Sequence, residues 1–266
     1  MFRTIDISDP RFEMDGLRHV AVKSTALRGR GDITLWAPTG QVPTALVVLL
    51  HGVYGSHWGW ALRGGAHRTA ARLCAAGQIP PVALAMPSDG LRGDGTGYAR
   101  HADGTDYERW IVEDVPAAAR LALPGVLDTT PLCIAGLSMG GFGALRIGAR
   151  HARRFRAISG HSSITDAVQM SAFIEEDTAS LGFAPSDTSV LDAIVGAGAA
   201  LPPLRFDCGL DDPLIDANRA LHAALNDRRI PHTYEEFPGA HEWAYWEAHL
   251  EDTLRFFGGA LASSSR

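Results

Sequence analysis

Two hydrophobic patterns alternate along the chain. RHVAVKST, starting at Arg18, switches between apolar and polar positions, and DITLWAP is a second short run closed by a proline. Both predict strands with one polar face. TALVVLLHG differs, because Ala45 to Leu50 are apolar without alternation, the pattern of a central strand buried on both faces. From there strand and helix patterns take turns. HRTAARLCAAG predicts a helix ending at Gly77, PVALAMP a strand, and DYERWIVEDVPAAARLAL a long helix that Pro116 kinks or restarts. PLCIAG, FRAISG, PLRFDCG and HTYEEF predict further strands, while MGGFGALRIGARH, PLIDANRALHAALNDRR and WAYWEAHLEDTLRFF predict helices. Strands alternating with helices imply βαβ units, so the expected class is α/β: a mostly parallel central sheet with helices on both faces. The alternation fails once, at about 161–203. That stretch is too long for a simple connection and predicts a small helical insertion over one end of the sheet.

Composition narrows the function classes. The 266 residues, 46% hydrophobic and 20% charged, suit one α/β domain over 1–266 with a substantial core. The net charge is −6, and basic residues are scattered apart from pairs such as Arg153-Arg154 and Arg228-Arg229, which argues against a nucleic-acid partner. The charged opening MFRTIDISDPRFEMDG lacks the apolar run of a secretory peptide, and no stretch reaches 18 apolar residues, so no membrane association is expected. Cys74, Cys133 and Cys208 are far apart and odd in number with no CxxC pair, and Cys133 and Cys208, each in a strand-like run, read as buried free thiols; a reduced cytoplasmic setting is expected. The terminal SSSR has the composition of a frayed tail.

The chemistry centres on AGLSMGGFGALRIGA. Gly136-Leu137-Ser138-Met139-Gly140 matches G-x-S-x-G, a pattern that accident supplies in about one glycine-rich chain in six. Here a predicted strand precedes it and a predicted helix follows, the context in which a sharp turn lifts a serine oxygen clear of the sheet. Gly140, Gly141 and Gly143 are expected to leave the helix start open to a substrate. A nucleophilic serine needs a histidine base and an orienting carboxylate, following in that fold in the order Ser, acid, His. After the strand PLRFDCG stands GLDDPLI, where Asp212 is preferred to its neighbour Asp211; after HTYEEF stands PGAHEW, with His241. An oxyanion hole needs two N–H donors. The first is Met139, directly after the serine. The second comes from LLHGVYGSHWGW, by Val53 or Tyr54. Tyr54, Trp58 and Trp243 flank these loops and are candidates to line the substrate pocket, whereas Trp246 reads as core. Asp89 and Asp94, in a Gly-rich loop after a strand, suit a surface turn as well as a substrate-facing edge. No H-E-x-x-H or comparable spacing exists, so no metal site is expected.

Four pieces, LHGVYGS, GLSMGGFGAL, CGLDDPL and FPGAHEWAYWEAHL, resemble the esterase D-like α/β-hydrolases. That family includes tributyrin, feruloyl and acetyl xylan esterases, S-formylglutathione hydrolases and mycolyltransferases. The resemblance runs from DITLWAP to the closing helix. It implies an α/β-hydrolase fold with Ser138 as nucleophile, Asp212 as acid, His241 as base, and the Val53 and Met139 N–H groups as oxyanion hole. Phe142 stands where the S-formylglutathione hydrolases usually carry histidine, which shifts the likeness toward the tributyrin and feruloyl esterases. The expectation is a serine carboxylesterase acting on short-chain or small aromatic acyl esters, with no cofactor and a lid-like role for 161–203. A thioesterase or acyltransferase on the same three residues is the alternative within enzymes, and a non-catalytic binding module the alternative outside them. The expected partner is a small-molecule ester; a homo-oligomer is left open.

Overall fold

The computed structural model describes residues 2–263, so the last three residues of the SSSR tail lie outside the described residues. Its strands are β1 (Ile5–Ile7), β2 (Arg18–Ser24), β3 (Gly29–Trp36), β4 (Ala45–Leu50), β5 (Val82–Pro87), β6 (Leu132–Leu137), β7 (Phe155–His161), β8 (Leu204–Gly209) and β9 (Thr233–Phe237). They form one sheet in the order β1-β2-β3-β5-β4-β6-β7-β8-β9. From β5 to β9 every pair is parallel, whereas β1, β2 and β3 add on antiparallel, with β3 against β5. All residues of β4, β5, β6 and β8 are buried, as runs without alternation require in a sheet covered on both faces. The two-faced β2 keeps its alternation and its half-solvated position near the edge.

Helices α1 (Gly59–Leu62), α2 (Ala66–Ala75), α3 (Tyr107–Arg109), α4 (Val115–Ala122), α5 (Met139–Arg150), α6 (Thr178–Leu181), α7 (Val190–Ala197), α8 (Ile215–Asp227) and α9 (Trp243–Ser263) divide between the faces. One core joins Trp60, Leu73, Trp246, Leu254 and Phe257 of α1, α2 and α9. The other joins Phe142 and Leu145 of α5, Ile194 of α7 and Leu225 of α8 with Trp110, which lies between α3 and α4.

The expected long helix over 106–123 is three pieces. Between α3 and α4, Trp110–Asp114 widens into a π-turn, with Val115 N–H reaching the Trp110 carbonyl. Pro116 follows within the same unbroken helical run, where it lacks an N–H for the preceding turn, and the π-turn directly before it is the irregularity that accompanies this missing bond. β1 had no sequence signal, because three residues are too few to show a period. In β8, Arg205 and Asp207 are buried despite their charge. Asp207 meets His161 Nδ1 at 2.9 Å and accepts from the Tyr245 hydroxyl at 2.8 Å, tying β7 and α9 together. Burial pushes the Asp207 carboxyl up, but His161 and Arg205 bring it below the usual carboxylate range.

The stretch between β7 and β8 carries short 3₁₀ turns together with α6 and α7. Asp187 binds it to α5 through Arg146 and Arg150. Its Glu175 and Glu176 backbone N–H groups donate to the Asp94 carboxylate.

Candidate active site

Ser138 is the single residue between β6 and α5, at φ 55° and ψ −120°. A positive φ is costly for a side-chain-bearing residue, and such outliers collect at functional turns. The turn is held from both sides: Ser138 N–H donates to the His161 carbonyl at 2.9 Å, and its own carbonyl accepts from Phe142 and Ile164. The glycines serve this close approach and do not open the helix start to a substrate, contrary to the sequence-based expectation. A Cβ on Gly140 would strike the Leu50 and His51 carbonyls, one on Gly141 the Ser163 hydroxyl, and one on Gly143 the Tyr98 ring.

Asp212 opens the turn between β8 and α8, and His241 lies in the loop between β9 and α9. Gly209 and Gly239 bring these loops together, since a Cβ on Gly209 would occupy the Gly239 carbonyl, and Asp211 N–H donates to that carbonyl at 2.9 Å. His241 Nδ1–H donates to Asp212 Oδ2 at 2.9 Å, which leaves Nε2 to accept from the Ser138 hydroxyl at 3.0 Å. Asp212 is 2% exposed and its second oxygen accepts from Leu214 N–H at 2.8 Å, whereas the Asp211 side chain faces solvent. Burial pushes the Asp212 carboxyl up. The His241 hydrogen bond and charge and the Leu214 N–H outweigh it and hold the group below its ordinary value.

Two further N–H groups, those of Met139 and of Val53 or Tyr54, are the expected oxyanion donors. Met139 begins α5, where the first N–H groups have no acceptor within the helix. Of the pair Val53 and Tyr54, Tyr54 N–H donates to the Asp94 carbonyl at 2.9 Å, which leaves Val53 as the available donor. Gly52 lies against the turn, where a Cβ would sit 3.2 Å from that of Ser138. The buried His51 ring fixes this loop: Nδ1–H donates to the Gly52 carbonyl at 2.7 Å, and Nε2 accepts from Asp89 N–H at 3.1 Å. Tyr98 and Trp60 donate to the His51 and Leu50 carbonyls. Asp89 is internal, its carboxylate accepting from Leu91 and Thr96. Both aspartates therefore shape loops, and neither lines the pocket.

A cavity of about 380 Å³ opens on Ser138 and His241, and Val53, Tyr54, Trp58 and Trp243 line it. Tyr54 and Trp58 are 62% and 42% exposed, at its mouth. Trp246 is buried as expected, yet it also borders the cavity, with its ring edge-on to His241 at 5.0 Å. Three lining residues, Arg63, Phe173 and Glu242, carried no usable signal. Phe173 comes from the stretch between β7 and β8 and stacks on the His241 ring at 5.1 Å, a contact that no local pattern announces. A larger cavity of about 950 Å³, among Ile194, Leu201, Ile230 and Phe256, shares no lining residue with the one at Ser138 and His241. Among the described residues, no group of three or more His, Cys, Asp or Glu side chains could hold a metal ion. No helix there is long and apolar enough to cross a membrane.

Residues 25–257 match the Esterase family, described as "Putative esterase". An acetyl esterase of Caldicellulosiruptor saccharolyticus is 26% identical over 227 residues, covering 78% of this chain and 81% of the relative. A ferulic acid esterase structure superposes with a TM-score of 0.74 at 22% identity, over 97% of this chain and all of the other. Fluorophosphonate-binding serine hydrolase F of Staphylococcus aureus, with substrate bound, gives 0.76 at 21% identity, over 89% and 95%. At these identities the two structures speak to the fold alone, which is that of the α/β-hydrolases. With the family matched over most of its length, the chain belongs to the Esterase family and is a carboxylic-ester hydrolase.

Proposed function

We propose that the protein is a serine carboxylesterase for short-chain or small aromatic acyl esters, working through an acyl-enzyme. One observation carries this reading: the line of hydrogen bonds from Asp212 through His241 to Ser138, ending at a cavity. Ser138 Oγ attacks the ester carbonyl while His241 Nε2 takes its proton, and Asp212 stabilises the imidazolium that forms. The Val53 and Met139 N–H groups stabilise the tetrahedral oxyanion, each donor contributing about 3–4 kcal/mol. Collapse breaks the ester C–O bond, and His241 returns the proton to the leaving alcohol. Water, deprotonated by His241, then attacks the acyl-enzyme and releases the acid and free Ser138.

A cavity of about 380 Å³ lies near the lower end for small-molecule sites, which supports acyl groups no larger than a short chain or one ring. Acetyl and ferulic acid esterases among its relatives span that range. The 161–203 stretch supplies a pocket wall through Phe173, the basis for its lid-like role. A cytoplasmic setting is in keeping with three free cysteines, of which Cys133 is inert, its thiol pushed up by burial to about 12.

The test is a panel of 4-nitrophenyl esters of increasing acyl length with wild type and Ser138→Ala. The alanine variant should lose activity by up to about 10⁶-fold in kcat. Wild-type rates in that variant would overturn the mechanism, and a panel optimum at long chains would overturn the substrate class.

A further inference from the structure

We propose that Arg63 is a specificity-determining residue of this site, binding a carboxylate or similar planar oxyanion that the substrate carries away from its scissile ester. The inference rests on the esterase reading above and adds the charge of the substrate to it.

Arg63 follows α1 and lines the same cavity as Ser138 and His241. Its guanidinium carbon lies 5.4 Å from the centre of the Trp243 ring. That ring is itself fixed, edge-on to Trp60 at 5.7 Å and to Trp246 at 5.5 Å. Gly64 leaves it room, since a Cβ there would come within 2.9 Å of the indole. A guanidinium over an aromatic face keeps its N–H edges available to a planar acceptor.

Those edges have no acid of their own. Among the described residues no carboxylate lies within 4.0 Å of the Arg63 guanidinium, whereas the nearby Arg68 and Arg72 pair with Asp15 and Glu251. Glu242 is the other charged side chain of the lining apart from His241, and it forms no ion pair with Arg63. The rest of the wall is glycine, aliphatic, aromatic and serine. An unpaired cation beside a small cavity of that kind favours substrates with an anionic group, because N–H bonds to a charged acceptor are about twice as strong as neutral ones.

The test compares anionic esters with neutral isosteres, one pair charged on the acyl side and one on the alcohol side. The acyl pair is 4-nitrophenyl hydrogen adipate and 4-nitrophenyl hexanoate. The alcohol pair is 4-acetoxybenzoate and 4-acetoxybenzamide, followed by release of the phenol. kcat/KM is measured for wild type, Arg63→Met and Arg63→Lys, with melting temperatures checked. In at least one pair, Arg63→Met should lower the anionic-to-neutral ratio about tenfold. Arg63→Lys should keep part of the ratio, and added salt should shrink it in wild type, because the site is open to solvent. A ratio that Arg63→Met leaves unchanged in both pairs overturns the inference. Wild-type inertness toward all four esters is a different result: it overturns the esterase reading, and this inference with it.

Discussion

Replacing Asp212 by asparagine tests the site most sharply, because the structure dictates which way the amide must face. Asp212 Oδ1 accepts from Leu214 N–H at 2.8 Å and Oδ2 accepts from His241 Nδ1–H at 2.9 Å. Asparagine has only one acceptor oxygen. Turned toward His241, it would set its NH₂ against the Leu214 N–H, leaving two buried donors facing each other. The oxygen therefore goes to Leu214 and the NH₂ donates to His241 Nδ1. That forces the proton onto Nε2, the atom that must accept from Ser138, and it also removes the charge that stabilises the imidazolium. A wrong tautomer in such a triad costs on the order of 10⁴ in kcat, about 5 kcal/mol. Asp211→Asn alters an exposed side chain and keeps the backbone bond to Gly239, so it should stay within about twofold of wild type. The assay is the kcat for 4-nitrophenyl acetate in both variants, with melting temperatures to exclude misfolding. Equal losses, or a larger loss for Asp211→Asn, would refute the argument.

Acid stability offers a second check. Burial pushes the Glu108 carboxyl up, but His151, Arg146 and Arg150 hold it at about 2 against an ordinary 4.5. A folded-state value below the unfolded one gives a contribution complete above about pH 4.5 and lost as pH falls toward 2, worth about 3 kcal/mol. Denaturant midpoints should drop across that window, and Glu108→Gln should lower stability at neutral pH while flattening the drop; a slope that the substitution leaves unchanged contradicts the assignment. Gly140→Ala would drive a methyl group into the Leu50 and His51 carbonyls, so it should cost about 1–3 kcal/mol and lower kcat by displacing the Val53 loop. A variant as stable and as active as wild type, by calorimetry and ester hydrolysis, would show that the close packing described for this turn is wrong.

Much of the architecture was legible because its signals are local. The unbroken apolar runs of β4, β5 and β6 already describe strands covered on both faces, and their alternation with helix-period segments describes a parallel sheet. Ser138, Asp212 and His241 could be named in order because each follows a strand pattern, where such a sheet exposes its loops. Other features carry no local signature. That Tyr54 N–H is taken while Val53 N–H is not turns on the Asp94 carbonyl, about 40 residues away along the chain. The difference between Asp211 and Asp212 turns on which of two adjacent side chains is buried.

The sequence by itself determined the α/β class, the strand–Ser138–helix turn and the order of the candidate residues, because periodicity and turn chemistry act over a few residues. Only the tertiary structure decided what surrounds the serine: Phe173 stacked on His241, Arg63 laid over Trp243, and glycines that let backbones touch where an opening to substrate had been expected. Those contacts join residues far apart in the chain. They depend on how finished elements pack, to within fractions of an ångström, and one segment's pattern does not record where its neighbour's side chains will lie.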